Sequence, residues 1–164
     1  HDFDTAILFA DATSATILFG EAHYEQAKAR LSRPDLSAKG EDGSTLSVPL
    51  RNEGFIQMKG KKVFTEAVRS MIASLNRVCT QQQIAVDDLN LIVPHQANQR
   101  ILDAIQSRIG PRVYSNIRDH GNTSSSSIPL CLEDVLPSLP ADTRLGLCAF
   151  GGGVTFGAGI LQTL

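Results

Sequence analysis

The chain has too few cysteines, too far apart, to be stapled or built around a metal. Cys79, Cys131 and Cys148 are the only ones. An odd count without paired spacing argues against a disulfide framework and against a zinc site, and a reducing cytoplasm is the expected compartment. Long apolar runs are missing too: nothing approaches the roughly 20 residues needed to span a bilayer, so no membrane segment is expected. Charge of one sign is not in excess, with a formal net charge of −2. Bulk electrostatics therefore recommend neither nucleic acid nor an anionic membrane surface as a partner. The opening "HDFDTAILFADAT" lacks the basic region and apolar stretch of a signal peptide. It also lacks an initiator Met and enters an apolar run within a few residues, which reads as a fragment or a processed chain.

What is present suits one globular domain: 164 residues, 42% hydrophobic and 20% charged. Residues 5–10, "TAILFA", and 15–20, "ATILFG", are apolar runs that predict two strands or a tight hairpin. Residues 32–54 are polar and rich in Gly, Ser and Pro, which predicts a long surface loop. From Gly60 to Gln82 the spacing turns helical, with Val63, Phe64, Ala67, Val68, Met71, Ile72, Leu75 and Val78 on one face.

An alternation follows. A short strand is predicted over 89–93, then a helix over 96–109 that Gly110-Pro111 stops. Val113-Tyr114 reads as a short strand, and "HGNTSSSSIPLCLEDVL" as a glycine turn entering a helix near Ser124. "TRLGLCAF" is a buried strand, "GGG" a tight turn and "VTFGAGILQTL" a final strand. Strands alternating with helices predict an α/β layered fold whose sheet is covered on both faces.

The chemistry-bearing residues sit on three turns at strand ends: "VPHQAN", "DHGNTSSSS" and "AFGGGVTFG". In open α/β sheets the ligand crevice lies beyond the carboxyl ends of the strands. His95, Asn122 and the Gly151-Gly152-Gly153 turn are therefore expected to converge on one pocket. Each has a plainer reading alone. A histidine after a strand is more often a structural hydrogen-bonder. An asparagine after glycine is often a cap or turn residue. The serine run suits caps and close packing, and a triple glycine between strands can be a mere bend. Their weight comes from occurring together. A neutral imidazole N–H and an amide N–H can both donate to one carbonyl oxygen as it gains charge. A glycine N–H can form a second oxyanion site.

With these turns in view, the chain resembles the C-terminal half of 3-oxoacyl-acyl carrier protein synthase III, the ketoacyl synthase III branch of the thiolase superfamily. "VPHQANQRI", "HGNTSSSSIP" and "AFGGGVTFGAGIL" carry the likeness, which runs from "ILFADATSATILFG" to the last residue. The resemblance implies a thiolase-like α/β fold, of which residues 1–164 are one half of a duplicated five-stranded sheet with helices on both faces. It implies a Cys-His-Asn triad in a decarboxylative Claisen condensation of an acyl thioester with malonyl-acyl carrier protein. His95 and Asn122 would be the decarboxylation pair, and Gly152 would give an oxyanion N–H. Asn98 and Arg100 match positions near the coenzyme A or carrier-protein entrance. Taken alone, Arg100 reads as an exposed helix charge. Acyl carrier protein and acyl-CoA are the implied partners, their phosphopantetheine thioesters the substrates, with no metal or further cofactor. Family members are commonly homodimers.

In that family the nucleophilic cysteine opens a buried helix in the N-terminal half. None of Cys79, Cys131 and Cys148 opens a predicted helix, where the dipole would lower a thiol pKa, so all three read as buried structural residues. The resemblance therefore asks for a companion N-terminal half, and a lone half is expected to expose apolar surface. One stretch departs from the family: "ADATSA", residues 10–15, stands where "GDGAGA" is usual. Two alternatives stay open on that ground, acyl transfer to an alcohol or amine and a non-catalytic half-domain that binds a carrier protein. Asn122 favours condensation, because simple acyl transfer needs a base more than an enolate clamp.

Overall fold

A computed structural model describes residues 7–49 and 54–164. The longest helix, α1 (Gly60–Gln81), has the length and the apolar face that its periodicity predicts. Met71, Leu75 and Val78 on that face are fully buried, with Ala67 and Val68 nearly so.

A five-stranded sheet lies beneath it. Its centre is a hairpin of β6 (Arg144–Gly151) and β7 (Thr155–Thr163), paired antiparallel with Leu147 opposite Gly159. On one side β5 (Leu91–Pro94) runs parallel to β6, with Pro94 opposite Cys148. On the other side β1 (Ala29–Leu31) and β2 (Asp35–Ala38) pair in succession with β7. Two further short strands, β3 (Leu46–Ser47) and β4 (Gln57–Met58), form a separate ribbon.

Alternation along the strands divides the core in two. Ile92, Cys148, Phe150, Ala158 and Ile160 face α1 and α2 (Gln99–Ile109). Val93, Leu145, Leu147 and Leu161 face α4 (Ser127–Val135). The sheet is thus helix-covered on both faces, as the continuous apolar strands predict. At Gly146 a Cβ would stand 2.7 Å from both Leu75 and Leu89, so glycine here lets α1 settle on the sheet. Among the described residues no helix is long and apolar enough to cross a membrane.

Four expectations need correction. Residues 15–20 form no strand; the run stands exposed, with Ile17 at 76% and Leu18 at 78%, and a 3-10 turn over Glu21–Gln26 follows. An apolar run becomes a strand only where a neighbour offers backbone partners, and here no described segment lies alongside. Of the 5–10 run, residues 5 and 6 lie outside the described residues, and Phe9 makes only an isolated bridge, to Asn122. The expected 32–54 loop is structured over much of its course: it supplies β2, a 3-10 turn over Gly40–Thr45 and β3, while residues 50–53 lie outside the described residues. Edge pairing to β7 orders it, a long-range effect that composition does not carry. Val113-Tyr114 is likewise no strand but a single bridge from Val113 to Ile92.

Helix starts also shift. The 96–109 helix begins at Gln99, because Asn98 is its N-cap, with Oδ1 accepting from Ile101 N–H at 3.0 Å. The helix expected near Ser124 begins as a 3-10 turn over Ser124–Ser126 and turns α-helical at Ser127. A short helix not foreseen, α3 (Ile117–His120), leads into Gly121.

Candidate functional site

The parallel pairing of β5 and β6 brings their carboxyl ends to one side. β5 ends at Pro94, which hands the chain to His95; β6 ends at Gly151, which opens the glycine turn. The two ends are tied directly, His95 N–H donating to the Cys148 carbonyl at 2.8 Å. Asn122 arrives from the other direction, after α3 and Gly121. Gly121 has φ +69°, and a Cβ there would sit 3.1 Å from that of Ala10, so its position suits glycine on both counts. His95, Asn98, Arg100, Asn122 and Gly152 all line one open, mainly apolar cavity of about 1690 Å³.

His95 is held from behind. Its Nδ1 lies 2.6 Å from Ser127 Oγ, at the first residue of α4. Its Nε2 has no partner among the described residues. Burial pulls its pKa down from 6.5 to about 4, so the ring is neutral at pH 7. The next residue, Gln96, is fully buried and knits the turn to its surroundings. Its Nε2 donates to Pro94 O at 2.8 Å, and its Oε1 accepts from Asn116 N–H at 3.2 Å.

Asn122 is 8% exposed, with Oδ1 accepting from Ser124 N–H at 3.0 Å in an Asx turn. The turn holds Ser124 at φ +53°, a left-handed conformation that costs a non-glycine residue about 1–2 kcal/mol. The Asn122 carbonyl accepts from Ala10 N–H at 2.9 Å, and Ser14 Oγ donates to Ser126 Oγ at 3.2 Å. The "ADATSA" stretch therefore runs alongside the asparagine turn. In the glycine turn, Gly153 rather than Gly152 holds the left-handed angle, φ +72°. Gly152 is exposed, and a Cβ on it would meet only ordinary contact, 3.5 Å from Leu46 O.

Asn98 and Arg100, expected near an entrance, differ in their settings. Asn98 serves as the cap of α2. Arg100 is exposed on the same helix, its guanidinium 5.9 Å from the Phe64 ring centre. All three cysteines are free and buried, as their positions predict. Burial pushes the Cys131 and Cys148 thiols up to about 12, and burial followed by the Asp88 charge raises Cys79. Cys148 lines the cavity, but its thiol is the wrong species for a nucleophile at neutral pH. Sequence reading missed Ser127, Gln96 and Ser124 as supports. The serine run was the one trace of the two serines, and caps explain such a run equally well.

The chain matches known proteins in both sequence and fold. Residues 79–163 match the family model for the C-terminal part of 3-oxoacyl-[acyl-carrier-protein] synthase III. The chain is 34% identical to the beta-ketoacyl-[acyl-carrier-protein] synthase III of Nitratidesulfovibrio vulgaris strain DP4, over 98% of this chain and 54% of that one. It is 35% identical to the enzyme of the same name from Chlamydia trachomatis serovar D, over 99% and 54%. Among solved structures, the Thermus thermophilus beta-ketoacyl-[acyl carrier protein] synthase III superposes with a TM-score of 0.78 at 30% identity, covering 98% of this chain and 53% of that one. The chain thus spans about half the length of the curated relatives it matches.

Proposed function

The chain belongs to the 3-oxoacyl-[acyl-carrier-protein] synthase III family, with a thiolase-like α/β fold, and from that premise we propose that it carries the histidine–asparagine part of a condensing site. The substrates of this reading are an acyl-CoA and malonyl-acyl carrier protein. The nucleophilic cysteine belongs to a companion N-terminal half, and the assembly is a homodimer. No metal or further cofactor enters the scheme.

One observation carries it. Asn122 Oδ1 is engaged by Ser124 N–H and His95 Nδ1 by Ser127, so each side chain keeps a polar nitrogen for the cavity that both line. Two neutral donors suit the oxygen of a malonyl thioester. As the bond to the carboxylate breaks and CO2 leaves, the electron pair moves onto the thioester carbonyl and the oxygen becomes an enolate. Donors fixed in advance stabilise that charge more than they stabilise the substrate. The enolate carbon then attacks the acyl-cysteine carbonyl, and the cysteine thiolate leaves. In that second step Gly152 N–H serves the acyl oxyanion. Arg100 and Asn98 stand at the entrance, where a guanidinium suits the phosphate of a pantetheine arm.

The test is CO2 release from malonyl-acyl carrier protein by the protein that contains this chain. Loss of release in His95→Ala and Asn122→Ala supports the reading. Retained release in both overturns it, and an ester or amide formed with a hydroxyl or amine acceptor would favour plain acyl transfer.

A further inference from the structure

We propose that Ser127 is a positioning residue that fixes the tautomer of His95, keeping the ring proton on Nε2. The inference rests on the reading of His95 as an enolate donor and deepens it. A neutral imidazole has one N–H, and its location follows from the partner of the other nitrogen. Here the partner of Nδ1 is Ser127 Oγ, at 2.6 Å.

Counting protons at Ser127 decides the direction. Its Oγ also accepts from Gln96 N–H, at 3.3 Å, and the side chain is only 1% exposed. Suppose Nδ1 carried the ring proton and donated it to Oγ. The hydroxyl would then accept twice, and its own proton would have no acceptor among the described residues, in a site that water barely reaches. Suppose instead that the hydroxyl donates to Nδ1. It then accepts from Gln96, donates to His95 and leaves nothing unmatched. Only this arrangement places a proton on Nε2, the nitrogen without a partner among the described residues.

Both ends of the contact are anchored. Ser127 opens α4, which packs on Val93 and Leu145 through Cys131 and Val135. His95 is tied through its backbone N–H to Cys148 on β6. The hydroxyl and ring meet because α4 packs on the sheet of which β5 is a strand, bringing together residues 32 apart in sequence.

The experiment is nitrogen NMR of the protein that contains this chain, labelled with 15N-histidine, with His95→Gln identifying the His95 signals. The expected spectrum has the one-bond N–H coupling on Nε2 in the parent and in Ser127→Thr, which keeps the hydroxyl. Ser127→Ala should show a mixture of tautomers. CO2 release by Ser127→Ala should drop roughly tenfold in kcat with KM little changed, a milder loss than deleting an oxyanion donor outright. A parent spectrum with the proton on Nδ1 overturns the inference, and so does an unchanged tautomer in Ser127→Ala. Should Ser127→Ala fail to fold, the parent spectrum still decides. The underlying functional reading fails separately: Nε2 protonated as expected, but CO2 release unaffected by His95→Ala.

Discussion

The backbone N–H of Ser124 donates to Asn122 Oδ1 at 3.0 Å, and this bond determines which end of the amide is left to act. With the oxygen engaged, Nδ2 is the group without a partner among the described residues, and it is a donor only. Asn122→Asp keeps an oxygen for Ser124 N–H and so keeps the turn, but replaces the donor with an acceptor. CO2 release from malonyl-acyl carrier protein should fall roughly 100- to 1000-fold, the usual loss for one oxyanion donor. Circular dichroism should be unchanged. A rate within a few-fold of the parent would remove Asn122 from the chemistry.

The segment following β2 is latched onto α1 by a shared carboxylate. Glu66, 9% exposed, accepts from Lys39 Nζ at 2.8 Å and from Arg69 at 2.8 and 2.9 Å. Its hydrogen bond to Lys39, and then that to Arg69, hold its pKa below the usual 4.5. A depressed carboxylate contributes stability above its unfolded pKa and loses it as pH falls through the lower folded value. Glu66→Gln should cost about 1 kcal/mol at pH 7, since the two cations lose a charged partner but keep access to solvent. It should also flatten the acid limb of the stability curve. Urea unfolding across pH measures both, and a parallel acid limb in the variant would disprove the assignment.

Crowding at β2 offers a second test of the same edge. A Cβ at Gly157 would stand 2.8 Å from Asp35 O and 2.6 Å from Leu36 Cδ2. The carbonyl belongs to a paired strand and cannot step aside as a side-chain end can. Gly157→Ala should therefore push β2 off β7, at about 1–3 kcal/mol, and loosen the ion pair from Asp35 to Arg77 at 2.7 Å. Faster amide exchange confined to 35–38 is the expected signature.

This edge also shows what the sequence could not reveal. α1 was legible because its own periodicity names its buried face. The site was legible in outline because His95 and the glycine turn follow strands that run parallel, so their ends meet. β1 and β2 were not, because "ARL" and "DLSA" have no pattern of their own and owe their order to β7, more than 100 residues on. The 15–20 run misled for the opposite reason: it has the composition of a strand without a described partner. Ser127 stayed hidden because nothing local distinguishes it from Ser124, Ser125 and Ser126.

Buried thiols should stay silent. With Cys131 and Cys148 pushed up to about 12, their thiolate fraction at pH 8 is negligible, and burial with the Asp88 charge raises Cys79 as well. Native residues 1–164 should react with a disulfide reagent only as fast as they unfold, and release three thiols once denatured. One thiol reacting within seconds in the native state would mark a nucleophile inside this chain and change the division of labour proposed above.

His95 sets a pH dependence with a definite sign. Its pKa falls from 6.5 to about 4 on folding because burial penalises the charged ring. Between these values the unfolded chain binds the proton and the folded one does not, so stability rises with pH across that window and is lost as pH drops. From this group alone the fold should be on the order of 3 kcal/mol weaker near pH 4 than at pH 7. His95→Gln removes the titration, so the difference in unfolding free energy between parent and variant should change through this window and level off above it. The same burial keeps the ring neutral near pH 7, as the proposed donor role requires. A parent-minus-variant difference that does not vary between pH 7 and pH 4 would mean that the ring is solvated, and a solvated imidazole would be a far weaker clamp for an enolate.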